Sequence, residues 1–202
     1  VKMPMKDMGY PMTLCQAMGM SRRFGQTLAV GEDDQCCLGG ALTMGFLAEP
    51  PKGSMFSPST EIRLEAGKYS HLVMASLERA DFEPDVIVIY GNSAQIARLV
   101  QSAGFFAKFK VASHVTGFAD CGDIVAGTHK SKECRFILPS GGDRVFGATQ
   151  DHEVIFTMPG DKAEAVIKGL AESHKAGFRY PVLSDLRHRP ALAPFLEIPK
   201  DS

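Results

Sequence analysis

Little in this chain would attract a polyanion. Its 202 residues hold 22 lysines and arginines against 23 aspartates and glutamates, a formal net charge of −1. No bulk field therefore draws it to nucleic acid or to an anionic membrane surface. No basic run carries interleaved aromatics, so a nucleic-acid partner is not expected. No uninterrupted apolar stretch approaches the ~20 residues of a membrane-spanning helix, so no membrane partner is expected either. Both common nucleotide fingerprints, GxGxxG and GxxxxGK followed by Ser or Thr, are missing, which removes the standard phosphate cradles. A CxxC pair is missing too, and with it the usual local half of a zinc or iron–sulfur site.

What the chain does have is five cysteines, an odd number, in a length that can bury a core without disulfide staples. That combination points to a reducing compartment, read here as the cytoplasm, with thiols that are ligands, reactive groups or small buried hydrophobes. The ten methionines follow no single spacing and read as core filling.

The stretch Gln35-Cys36-Cys37-Leu38-Gly39-Gly40 runs from an acidic turn into an apolar, helix-compatible segment. A thiol at the mouth of a helix is stabilised as thiolate by the N-terminal amides. Upstream, Thr13-Leu14-Cys15-Gln16 reads as a capping box opening a helix to about Gly25, with Cys15 in its first turn. Thr27 to Val30 is a short strand, and Tyr69 to Ala75 another. Asp85 to Tyr90 is a continuous β-branched run that predicts a central strand buried on both faces. It exits through Asn92-Ser93 into an amphipathic helix to Ala103, where capping is preferred to phosphate binding.

Further on, Lys110 to Thr116 is a strand candidate, and Gly117 to Asp123 resembles a second helix entry, with Asp120 capping beside Cys121. Cys134 to Leu138 reads as a strand, Gly141-Gly142-Asp143-Arg144 as a turn, and Val145 to Ala148 and Glu153 to Met158 as two more strands. A last helix spans about Asp161 to Lys175. Residues 1–181 are expected to form one domain and 182–202 a C-terminal extension. That extension would wrap the surface or a partner, leaving a homo-oligomer open. Cys15, a strand and Cys37-Leu38-Gly39-Gly40 are echoed by Cys121, a strand and Pro139-Ser140-Gly141-Gly142. Two related half-units and chance likeness both account for the echo.

Adjacent cysteines point in different directions in most backbones, so Cys36 and Cys37 supply one ligand at most. Any metal site must be assembled from Cys15, one of Cys36 and Cys37, Cys121 and, as a further candidate, Cys134, across long separations. Buried structural thiols and a reactive thiol are the competing readings. Gly39-Gly40 lets a backbone approach a ligand or a strand closely. Arg144 suits an anionic group, or a salt bridge to Asp143, Asp151 or Glu153. The Asp151-His152-Glu153 cluster reads as a solvated turn.

Several segments together resemble a known family: Met12 to Ala17, Cys37 to Ala41, Leu77 to Val86, Tyr90 to Gln95, Leu138 to Arg144, Thr149 to Glu153 and His174 to Pro181. The resemblance is to domain of unknown function 169, found in archaea and many anaerobic bacteria. It implies cysteine at the positions of Cys15, Cys37 and Cys121, and often at the residue before the second glycine pair. This chain has Ser140 there. The resemblance leaves three thiolates with an open iron, a fourth ligand from Cys36 or Cys134, or no cluster.

The expectation is a single α/β domain, with a central mixed sheet flanked by helices. A 4Fe–4S cluster on Cys15, Cys37 and Cys121 would serve anaerobic redox or Lewis-acid chemistry on a small molecule. Gly39 and Gly40 would admit that molecule and Arg144 would hold its anionic group. A non-enzymatic metal- or small-ligand-binding protein and a metal-free thiol enzyme are the alternatives.

Overall fold

The architecture is that of a computed structural model describing residues 3–4, 13–31, 37–53, 62–113 and 121–178. The capping box at Thr13 forms as the sequence predicts. The Thr13 hydroxyl accepts from the Gln16 N–H and the Gln16 side chain accepts from the Thr13 N–H. Helix α1 (Leu14–Phe24) follows and ends at Gly25, whose φ of 63° is left-handed. Strand β1 (Met3–Pro4) lies parallel to β2 (Leu28–Gly31), and β3 (His71–Met74) pairs antiparallel on the other side of β2. Helix α2 (Leu38–Met44) connects β2 to β3.

The second sheet is mixed and runs in the order β4 (Val86–Asn92), β7 (Glu153–Pro159), β6 (Cys134–Ile137), β5 (Val111–Ala112). Helix α3 (Ser93–Gln101) leaves β4 through Asn92, which forms a second capping box with Gln95. Its last turns widen into a π-helix over Ser102–Phe106. A helix beginning at Cys121 is π-wound over Gly122–Ala126 and continues as α4 (Gly127–Ser131). Helix α5 (Gly141–Val145) and helix α6 (Ala163–Lys175) complete the described elements. The chain is thus a single α/β arrangement of one mixed four-stranded sheet, one three-stranded sheet and their helices.

Two expectations are corrected. The β-branched run at Val86 forms an edge strand, and β7 takes the interior of the sheet. One face of β4 packs through Ile87 with Ile96 and Phe156, and Val88 and Tyr90 pack against Ile124, Ile137 and Ile155. Burial on both faces therefore does not require hydrogen bonding on both edges. The second correction is at Gly141 to Val145, read as a turn and the start of a strand but forming α5. Ser140 caps it by accepting from the Gly142 N–H at 3.2 Å.

The echo between halves is realised in the topology. The order β1-α1-β2-α2-β3 recurs as β5-α4-β6-α5-β7, with the first strand parallel and the third antiparallel to the middle strand in both. Strand β4 and helices α3 and α6 are additions to the second unit.

The units hold each other by exchange. Helix α1 of the first packs on α5 of the second, and the π-wound start of α4 packs on α2 of the first. A core of Leu14, Ala17, Leu28, Val30 and Met44 accordingly includes Cys121 and Ala126 from the second unit. At the far end of α1, Arg22 donates to Glu153 at 2.8 Å and lies 3.9 Å over the Tyr90 ring. Arg23 donates to the Ala148 carbonyl.

Burial pushes the Glu153 carboxyl up, but the Gln150 N–H and the Arg22 guanidinium outweigh it and hold it below its ordinary range. A carboxylate whose folded pKa is depressed adds stability that is complete above its ordinary value of about 4.5 and is lost as pH falls through the folded value. Arg22→Met should therefore cost about 1–3 kcal/mol at neutral pH. It should also flatten the acid side of the stability profile, both read by denaturant unfolding at neutral and acid pH.

Candidate functional site

Cys15, Cys37 and Cys121 each sit where a helix begins. Cys15 is in the first turn of α1 and is half-buried. Cys37 is the N-cap of α2, extended at φ −61° and ψ 145°, and its Sγ accepts from the Gly40 N–H at 3.4 Å. Within the glycine pair Gly40 is buried and Gly39 half-buried. Cys121 opens the π-wound segment and is buried. Cys36 lies outside the described residues, as does Asp120, the expected cap beside Cys121.

The exchange of helices decides which of these approach one another. A Cβ placed on Gly142 would stand 3.6 Å from Ser140 Oγ and 3.9 Å from Cys15 Sγ, so Cys15 faces the start of α5. A Cβ on Gly122, the residue after Cys121, would stand 3.1 Å from Thr43 Cγ2 in α2, the helix that Cys37 caps. The first contact is made at the start of α5 and the second at the last turn of α2. In each, the cysteine-bearing helix start of one unit meets the capped helix of the other. Ser140 occupies the place in the second unit that Cys37 occupies in the first.

The donor set, three thiols and a hydroxyl, has the soft chemistry that an iron–sulfur cluster needs. Among the described residues no three histidine, cysteine, aspartate or glutamate side chains form a group that could hold a metal ion.

Cys134 is placed elsewhere, on β6 in the core with Ile87, Phe156 and Val166. Burial pushes its thiol up against the pull of Lys162, which is the setting of an inert structural cysteine. Arg144 takes the salt-bridge fate, donating to Asp151 at 2.9 Å and to the Gln150 carbonyl at 3.3 Å. Its predicted neighbour Asp143 is buried instead and accepts from the Thr149 hydroxyl.

Sequence reasoning missed one polar constellation. Tyr69 Oη lies 2.9 Å from His129 Nε2, with Asp85 3.9 Å from the other ring nitrogen. The three positions are scattered over both units, and no local spacing pointed to them.

The profile of the family described as uncharacterised ArCR, domain of unknown function 169, matches residues 2–169. The chain belongs to that family. It is 24% identical over 174 residues to a protein of Methanocaldococcus jannaschii, itself described as uncharacterized, covering 77% of this chain and 75% of the relative. No solved structure matches the chain. No helix among the described residues is long and apolar enough to cross a membrane.

The close seating of α1 is testable by a pair of glycines. A Cβ on Gly19 would fall 2.6 Å from the Gly147 carbonyl oxygen, a backbone atom that cannot swing aside, whereas one on Gly141 meets nothing within 4 Å. Gly19→Ala should cost on the order of 1–3 kcal/mol in denaturant unfolding and speed alkylation of Cys15. Gly141→Ala should stay within about 0.5 kcal/mol of the parent.

Proposed function

We propose that this member of the family is an iron–sulfur protein acting in redox or Lewis-acid chemistry on a small molecule, with Cys15, Cys37 and Cys121 holding the cluster between its two repeated units. The observation that supports the reading is the exchange of helices. It sets the cysteine-bearing helix start of each unit against a helix of the other, with Cys121 in the Leu14 core and Cys15 facing α5. Gly39 and Gly40 add no side chain of their own beside the Cys37 thiol, which suits an approaching substrate. Arg144 enters only if it leaves Asp151. That bridge is exposed on the carboxylate side, so its rupture costs little.

One observation favours a metal-free thiol reading as the alternative. The Cys37 Sγ accepts a hydrogen bond from a helix-terminal N–H, a contact that stabilises thiolate.

Iron and acid-labile sulfide analysis on protein purified without oxygen separates the two. The proposal predicts bound iron and sulfide, lost by Cys15→Ser, Cys37→Ser and Cys121→Ser and retained by Cys134→Ser. A colourless, iron-free protein whose Cys37 alone alkylates rapidly near neutral pH would establish the thiol reading instead.

A further inference from the structure

On the side of the fold where residues 63–69 meet α4 lies a pocket of about 830 Å³, within the range of small-molecule sites. Four cations line it, Arg63, Lys68, Lys130 and Lys132, against one carboxylate, Glu65. That is a surplus of three positive charges in one concavity of a chain whose net charge is −1. Arg63 is committed to the Leu47 and Ala48 carbonyls, and Lys130 donates to the Arg63 carbonyl. These two fix the wall.

Lys68 and Lys132 both act electrostatically on His129, which with Tyr69 lines the same pocket. The Tyr69 and His129 rings meet edge to face, 5.5 Å between centroids.

We propose that this pocket binds a phosphorylated small molecule, with Lys68 and Lys132 as its charge partners and the Tyr69–His129 pair as a proton-coupled donor to the phosphate. The cations support phosphate over carboxylate. Ammonium groups are compact point charges suited to a phosphate dianion, whereas planar carboxylate recognition uses the guanidinium fork, and the one guanidinium here is engaged.

The donor's coupling follows from the ring geometry. Asp85 at 3.9 Å favours the tautomer with the proton on Nδ1, so neutral His129 accepts from the Tyr69 hydroxyl through Nε2. Burial and the neighbouring Lys132 and Lys68 keep the imidazole neutral below its ordinary range, with Asp85 opposing. A bound phosphate offsets both lysines and favours protonation. Protonated Nε2 then donates to Tyr69 Oη, and the tyrosine proton is released to point at the phosphate. The groups facing the ring are Lys68, Lys132, Asp85 and Tyr69, and all four enter this balance.

Calorimetric titration with inorganic pyrophosphate at constant ionic strength tests the site, at about pH 6 and about pH 8, either side of the ordinary histidine value. Saturable binding, tighter at the lower pH, is expected. The double variant K68A/K132G should weaken it about tenfold or more. Glycine suits position 132 because Lys132 sits at φ 56°, so the fold should survive, as thermal unfolding will show. His129→Gln should retain binding but lose most of the pH difference. Pyrophosphate's own titration is common to both proteins, so the change between them reports the ring.

No saturable binding, an undiminished affinity in the folded double variant, or citrate binding in place of pyrophosphate would overturn the proposal. Association with phosphatidic-acid vesicles without pyrophosphate binding would assign the pocket to a lipid headgroup and overturn it equally.

Discussion

Close backbone approach between the two units sets the geometry of everything else in this fold. Gly19 of α1 rides on the Gly147 carbonyl, and Gly122 lies against Thr43 and Ile62. A Cβ at Gly19 would strike backbone, and one at Gly122 would displace the end of the Ile62 side chain, so both helices seat closely. At that depth Leu14 and Ala17 share a core with Cys121 and Ala126, and Met18 reaches Ile124, Ile137 and Ile155. The hydrophobic core is therefore continuous with the exchange. Each unit completes the other's packing, and a cysteine lies at each crossing point.

Polar contacts then fix the register of that exchange. The Arg22–Glu153 pair and the Arg23–Ala148 contact tie the last turn of α1 to the second unit. Asp143, buried within α5, orders the following loop through the Thr149 hydroxyl and N–H. Thr128 and Thr157 share a buried hydrogen bond of 2.6 Å that pins α4 to β7. The Asp143–Thr149 and Thr128–Thr157 groups are buried and partnered, so removing either member leaves a buried polar atom with its full desolvation penalty. The candidate site is thus held on both sides of its crossings, while the basic pocket around Tyr69 and His129 is a separate feature on the same scaffold.

The parts of this architecture that depend on neighbours in sequence were legible there. The Thr13–Gln16 capping box and the capping residues Asn92-Ser93 announced two helix starts because capping is local chemistry. The strand at Cys134 and the last helix followed from periodicity. Helix α5 was not legible, because Ser140-Gly141-Gly142-Asp143 is equally good turn chemistry and only the packing of α1 against it selects the helix. The edge position of β4 was hidden for a related reason. Its two covered faces produce the same apolar run that a central strand would. The echo of Cys15 and Cys37 by Cys121 and Ser140 was visible, but the exchange of helices that gives it meaning is a tertiary fact. The Tyr69–His129 contact, 60 residues apart, left no trace in the sequence.

If the functional site is built from equivalent positions of two repeats, then Ser140 is the place where a fourth thiol belongs. It caps α5 as Cys37 caps α2, and it lies at the helix start that Cys15 faces. The most direct measurement is the rate of iron loss in air from anaerobically purified Ser140→Cys, set against the parent chain. The account predicts a slower loss and fuller iron occupancy, because the added thiolate completes the ligand set. Iron content and loss rate indistinguishable from the parent would contradict it.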